Sequence, residues 1–286
     1  MTRPPAGRLA PGRAFGKTPM HHHRRITPLP STGAHVVTVA DKAPLLRLRT
    51  GDHTAIGSPP PGLHDLLDSS SAGTVGSAYR DRLVSEVRER ERADGERRWP
   101  SARRSIGVVG TGVLADEIAR VLAAWGARVT TGASATDRRD SAALVISVSD
   151  GAKERRDHAV LDDLLATGNA RLRVYREGEC VFIDPIALDV TDIAARQVVR
   201  RRIAASTVPD ALEAWQGHGP AADQPVDSAS VTLVTARVLT MTLSWARDDE
   251  ALPRLRTTLW KLVPALGRVT EHPVLAYPAP HPGAGR

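Results

Sequence analysis

Apolar positions recur in two different periods along this chain. From His35 they come in short runs, HVVTVA, PLLRLRT and HTAIG, separated by turn formers, which predicts three strands. In LLRLR apolar and basic residues alternate, as in a strand with one wet face. PPPGLHDLLDSSSAGT reads as a Pro-initiated short helix with Leu63, Leu66 and Leu67 on one face, stopped by Ser and Gly. A second short helical turn follows. YRDRLVSEVRERERADGERR then reads as a helix in which Leu83, Val84 and Val87 form a narrow apolar stripe among Arg80, Arg82, Arg88, Arg90 and Arg92. Three strands followed by three small helices predict a winged-helix-like module over residues 34–95, a size at which folding alone is marginal.

Residues 95–104 (GERRWPSARR) read as a linker, and beyond it the pattern changes. SIGVVGTGVLADEIARVLAAWGARVTT predicts strand, glycine turn, helix and strand. Ala143–Val148 reads as a buried parallel strand, and HAVLDDLLATG as a helix ended by Gly168. ARLRVYREGECVFIDPIAL gives two strands around a tight turn at Glu177–Gly178. TDIAARQVVRRRIAAS gives a basic helix capped by Thr191 with Asp192 behind it. Residues 207–226 read as a loop, Ser228–Ala246 as a long buried helix, and LRTTLWKLVPALGRVTEHPVLAYP as two terminal strands. Strands alternating with helices place residues 104–286 in the α/β class. Residues 1–33, rich in Pro, Gly, Arg and His without periodicity, read as a disordered tail. Met20 is a second possible start within it, and three adjacent histidines (His21, His22, His23) on such a tail do not make a metal site.

Composition narrows the function classes. The chain has 286 residues with 39 Lys+Arg against 32 Asp+Glu, a formal +7. Before residue 105 there are 18 basic and 10 acidic residues, a net of +8, so all of the excess lies in the first third. That third suits an acidic partner: nucleic acid, an anionic surface or an acidic peptide. No run of 18 apolar residues predicts a membrane span, and no apolar segment behind the basic N-terminus predicts a secretory signal, so the expected compartment is the cytoplasm. One cysteine, Cys180, excludes an internal disulfide and a multi-cysteine metal site. Glu177 and Glu179 beside it oppose a reactive thiolate.

Gly110-Thr111-Gly112-Val113-Leu114-Ala115 is the G-x-G-x-x-A form of the nucleotide fingerprint. Gly110 makes the tight turn, Gly112 lets a phosphate approach the backbone, and Ala115 lets helix and strand pack closely. A working site also needs an acid at the end of the second strand, and ARVTT ends in Thr130, Thr131 and Gly132, with Asp137 beyond a polar loop. Arg196, Arg200, Arg201 and Arg202 read as a solvated basic helix face. His158, His218, His272 and His281 have no ligand-like spacing, and Trp125, Trp215, Trp245 and Trp260 read as core or interface anchors.

The order of a small winged-helix module, VVGTGVLADEIARVLAAWGARV, LVISVSD and the strand pair ending in FIDPIALDVT resembles the ThiF-like proteins of azole-forming peptide biosynthesis. These are related to ubiquitin-activating and ThiF/MoeB adenylating enzymes and partner the YcaO cyclodehydratases. The resemblance spans residues 35–282. It implies a leader-recognition module that takes the leader of a ribosomally made precursor as an added strand, with Thr54, Ile56, Arg82, Leu83, Val84 and Arg88 as the peptide-binding residues. It implies a Rossmann-like body that docks the cyclodehydratase, while the ATP is used by that partner and not by this chain. Products of bacteriocin and thiopeptide type follow from the same likeness, and a homodimer is compatible with it. The zinc-binding cysteine pairs of relatives are missing: Ile193 and Arg196 stand near one pair's place, so no metal or cofactor is expected. Asp150 matches the magnesium-holding Asp of adenylating relatives, so Gly110, Gly112 and Asp150 are the candidate, vestigial nucleotide residues.

Two other readings stay open. One is an ATP-dependent adenylating enzyme using Gly110, Gly112 and Asp150, with a nicotinamide oxidoreductase as its weaker form. The other is a winged-helix DNA-binding regulator, against which Glu86, Glu89 and Glu91 interleave the arginines of the last helix and would repel phosphates.

Overall fold

The chain opens on four short strands, β1 (Arg25–Pro28), β2 (His35–Thr38), β3 (Leu45–Arg47) and β4 (His53–Ala55), paired antiparallel in the order β1–β2–β3–β4. The computed structural model describes residues 24–39, 42–68, 74–133, 142–221 and 224–275. The expectations for Met20, for His21 to His23, for Asp137 and for His281 therefore lie outside the described residues. These residues divide at Arg92/Ala93 into two compact units, each with its own core.

In the first unit, α1 (Leu63–Asp68) and α2 (Thr74–Arg98) follow the sheet. Val36, Leu46, Leu48 and Ile56 from the strands and loops meet Leu63, Leu67, Leu83 and Val87 from the helices in one apolar cluster. Two expectations are corrected here. Residues 25–28 are a strand and not part of a disordered tail: RITP shows no alternation long enough to register, and pairing with β2 holds it, Ile26 opposite Val37. The Thr27 hydroxyl also meets His64 Nδ1 at 2.7 Å. Three strands and three helices become four strands and two helices, because α2 is one 25-residue helix that runs through the expected linker to Arg98. Gly95 does not stop it, since its carbonyl still accepts the Trp99 amide at 3.0 Å.

The second unit is built on a seven-stranded mixed sheet in the order β11–β10–β9–β8–β7–β5–β6. The strands are β5 (Ser105–Val109), β6 (Arg128–Gly132), β7 (Leu144–Ser149), β8 (Ala170–Glu177), β9 (Cys180–Ile183), β10 (Thr258–Val263) and β11 (Arg268–Pro273). β6, β5, β7 and β8 are parallel, and β9, β10 and β11 continue antiparallel. One face carries α3 (Val113–Ala124) and α7 (Ser228–Arg247), which bury Ile118, Leu122, Val234 and Met241 against Ile106, Leu144 and Val174. Trp99, 1% exposed, joins this cluster and donates its indole N–H to the Trp125 carbonyl at 2.7 Å.

α4 (Ala152–Asp157), a 3₁₀ segment His158–Thr167, α5 (Ala195–Ala204) and α6 (Pro209–His218) complete the unit with α8 (Leu252–Leu255). Gly168, at φ 83°, ends the 3₁₀ segment as expected of a left-handed cap. Residues 209–218 were expected as loop. The sequence PDALEAWQGH is a helix with Pro in its first turn, where the missing N–H costs nothing. Thr191 does not cap α5, which begins at Ala195. Asp189 accepts the Thr191 amide and hydroxyl instead, and Asp192 accepts the Leu188 amide at 2.7 Å and the Arg256 guanidinium at 2.8 Å.

Candidate functional site

A groove of about 530 Å³ lies in the first unit between β4 and α2. Its floor is Leu46, Ile56, Leu83 and Val87, and its walls are Tyr79, Arg82, Glu86 and Arg90. Helix geometry explains the selection: positions 79, 82, 83, 86, 87 and 90 fall on one face at spacings of three and four. Arg82 stands 5.1 Å above the Tyr79 ring centroid and 4.0 Å from Glu86. Burial raises the Tyr79 phenol above its ordinary value, and the Arg82 charge pulls against it.

The other wall is an open strand edge. β4 pairs with β3 and with no further described strand. The Ile56 amide donates to the Pro44 carbonyl at 3.3 Å and the Leu48 amide to the Asp52 carbonyl at 2.8 Å. With Leu46 opposite Thr54 between them, residues 52, 54 and 56 turn their backbone groups toward β3. The backbone groups of His53 and Ala55 therefore face outward, where an added strand would meet them.

Of the sequence-chosen residues, Thr54, Ile56, Arg82 and Leu83 line this groove. Val84 and Arg88 do not. Val84 sits about 200° around α2 from Arg82 and packs against the unit's core, and Arg88, about 240° away, points elsewhere into solvent. Sequence reasoning missed Arg90 and Glu86, although the spacing 82, 86, 90 was there to read.

The glycine turn lies in the second unit. Gly110 adopts φ 134°, and its amide donates to the Gly132 carbonyl at 3.0 Å. A Cβ here would stand 2.2 Å from the Val148 carbonyl oxygen, whereas one on Gly112 (φ 90°) would meet nothing within 4 Å. Gly110→Ala is therefore expected to lower unfolding free energy by about 3 kcal/mol, and Gly112→Ala by about 1–2 kcal/mol through backbone strain alone. Equal losses in denaturant titrations of the two variants would contradict this.

The pocket over the turn is only about 180 Å³ and is lined by Gly112, Ser149, Asp150, Arg176, Pro225 and Val226, among others. Small-molecule sites usually begin at about 300 Å³. The Arg176 guanidinium, 5% exposed, donates to Asp150 Oδ1 at 2.8 Å and to the Gln224 carbonyl at 3.0 Å. Asp150 is thus neutralised by a built-in cation, and the chain around Gln224 is tied across the opening. Among the described residues no acid stands at the end of β6, which closes on Thr130, Thr131 and Gly132. These residues do not fit a magnesium-bound nucleotide. Among the described residues no cluster of three or more His, Cys, Asp or Glu side chains is arranged to hold a metal ion.

No protein-family model and no curated protein sequence matches the chain. Solved structures do. A heterocyclase in complex with substrate and cofactor matches at 12% identity and TM-score 0.46 over 88% of this chain and 38% of its own. The heterocyclase TruD matches at 15% identity and TM-score 0.44, over 88% of this chain and 41% of its own. The E. coli microcin synthetase McbBCD complex with pro-MccB17 bound matches at 12% identity and TM-score 0.49, over 90% of this chain and 98% of that one. The chain spans about two fifths of the length of the two heterocyclases.

The remaining singled-out residues part company. Arg202 is not on a solvated face: its side chain is 13% exposed, bonds Glu177 at 2.8 and 2.6 Å, and lies 4.1 Å over the Phe182 ring centroid. Arg155 reaches the same carboxylate at 2.6 Å. Arg201 donates to the Leu275 carbonyl at 2.9 Å, while Arg196 and Arg200 are exposed. Cys180 is half-buried beside Glu177 across the hairpin. Trp245 and Trp260 are buried as core, and Trp125 and Trp215 are 45% and 42% exposed. Trp99, assigned to the linker, is instead among the largest fully buried side chains. Among the described residues no helix is long and apolar enough to cross a membrane.

Proposed function

We propose that the chain binds the acidic leader of a ribosomally made precursor peptide in the β4–α2 groove and presents the attached core peptide to a YcaO cyclodehydratase, which uses ATP to form azolines and azoles, while this chain makes no covalent bond itself. The observation that carries the reading is the β4 edge, which meets no further described strand and has His53 and Ala55 facing outward, beside a groove with an apolar floor and arginines in its wall.

The physical steps are binding and then proximity. The leader adds backbone hydrogen bonds at β4 and sets alternate side chains onto Leu46, Ile56, Leu83 and Val87. Arg82 and Arg90 steer its carboxylates and fix its register. The tethered core then reaches the enzyme at a raised effective concentration. The Arg176–Asp150 pair and the small pocket favour this reading over an adenylating enzyme.

Fluorescence anisotropy with a labelled acidic leader peptide of an azole-forming precursor tests it. Binding is expected at about micromolar concentration, weakening at least about tenfold in Arg82→Glu/Arg90→Glu and with added salt. No binding at tens of micromolar, or binding indifferent to both charges, overturns the reading.

A further inference from the structure

The second unit holds a cavity of about 430 Å³ between β8, α4, α5 and α6, apart from both sites above. Small-molecule sites usually begin at about 300 Å³. At its base stands Arg173 of β8, whose side chain is 7% exposed. The Arg173 Nε faces Asp184 Oδ2 at 3.3 Å, and the guanidinium lies 5.2 Å from the Tyr175 ring centroid. Among the described residues this guanidinium makes no hydrogen bond. Its terminal nitrogens are not sealed from solvent, as Arg171 Nη1 is, but reach the cavity. A guanidinium so deeply set, with free N–H groups at a cavity wall, calls for an acceptor.

The charge around the cavity calls for an anion too. Arg155, Arg171, Arg173 and Arg202, none more than 13% exposed, face the carboxylates of Asp162, Glu177 and Asp184. Among the described residues one of these four cations is therefore left without a carboxylate of its own, which is costly at such burial. At the rim Arg196 and Arg200 stand one turn apart on α5, an arrangement that repels. Among the described residues neither has an ion pair or hydrogen bond to offset that repulsion. Of the two carboxylates in the wall, Asp162 is taken by Arg171, which leaves Glu213 of α6. Val199 and Ile203 add apolar surface to the same space.

We propose that this cavity binds a small phosphate-type polyanion, its oxygens taken by Arg173 at the base and by Arg196 and Arg200 at the rim. Guanidiniums from two elements approach one space from different sides, which suits a tetrahedral, multiply charged group better than a planar carboxylate. Val199 and Ile203 face the organic body where the anion is a phosphate ester. The site is independent of leader binding, which belongs to the first unit, so either proposal can fail alone.

The experiment is calorimetric titration of the full chain in phosphate-free buffer with inorganic pyrophosphate, and separately with ADP and with citrate; circular dichroism follows folding. Pyrophosphate is expected to bind at one site with a dissociation constant of about 100 μM or less at low salt. Arg196→Gln/Arg200→Gln is expected to weaken it at least about tenfold, and these arginines are exposed, so that variant keeps its fold. Arg173→Lys keeps the charge beside Asp184 but loses the fork, and is expected to cost at least about fivefold. Arg82→Glu/Arg90→Glu should bind pyrophosphate as wild type does. ADP binding more tightly than pyrophosphate assigns the site to an ester, and the reverse order to the free anion. No heat at millimolar pyrophosphate, citrate binding as tightly as pyrophosphate, or affinity undiminished in the folded Arg196→Gln/Arg200→Gln protein overturns the proposal, as does a loss confined to Arg82→Glu/Arg90→Glu.

Discussion

Ala55→Pro is expected to weaken leader binding about thirtyfold, or roughly 2 kcal/mol, with little change in stability. The contrast comes from the alternation of β4. The Ala55 amide points away from β3, so proline removes no existing ladder bond there. It removes an outward donor, leaves the incoming peptide carbonyl desolvated and unpaired, and puts a ring where the added strand must lie. Thr54→Pro is the control, because Thr54 turns its backbone toward β3 and its loss would damage the sheet itself. Anisotropy and thermal unfolding on both variants check this. Equal affinity for Ala55→Pro and wild type would mean that the peptide does not extend the sheet.

Glu177→Gln is expected to destabilise the second unit by about 3 kcal/mol, lowering its melting temperature by about 6–12 °C. The Glu177 side chain is 7% exposed and holds Arg155 and Arg202, themselves 9% and 13% exposed. Neutralising it leaves two buried guanidiniums sharing an amide. Burial alone would raise the Glu177 carboxyl, but the bonds and charges of Arg202 and Arg155 outweigh it and hold the group below its ordinary value. A depressed carboxyl stabilises the fold fully above its unfolded value of about 4.5 and loses that contribution as pH falls through the folded value. The difference between wild type and variant should therefore be flat near neutrality and shrink below about pH 4.5. Thermal melts from pH 7 down to about pH 3 check it; a variant within about 1 kcal/mol of wild type at pH 7 would contradict the account.

That network also shows where sequence reading ran out. The β5 and β7 strands were legible as apolar runs, and Gly110–Ala115 as a turn between strand and helix, because period and composition are local signals. In ARLRVYRE the charges look like a wet face. In the fold β8 is buried on both sides: Leu172 and Val174 enter the apolar core, while Arg173, Tyr175 and Glu177 meet Asp184, Arg155 and Arg202. Those partners lie on other elements, so no window of sequence holds the pattern. The same reason hid α6, whose Gln and Gly mask its helical period, and Arg176, whose partners Asp150 and Gln224 are distant in sequence. In the first unit the order of strands before helices was readable, and four of the six chosen residues line the groove. The two that fall outside were chosen by charge and apolarity without regard to helical phase.

Amide hydrogen exchange on the chain with and without saturating leader peptide is the most direct measurement. The account predicts slowed exchange at the outward amides of His53 and Ala55 and along the groove face of α2, with none gained around Gly110–Ala115. Protection confined to the glycine turn, or absent from β4, would contradict it.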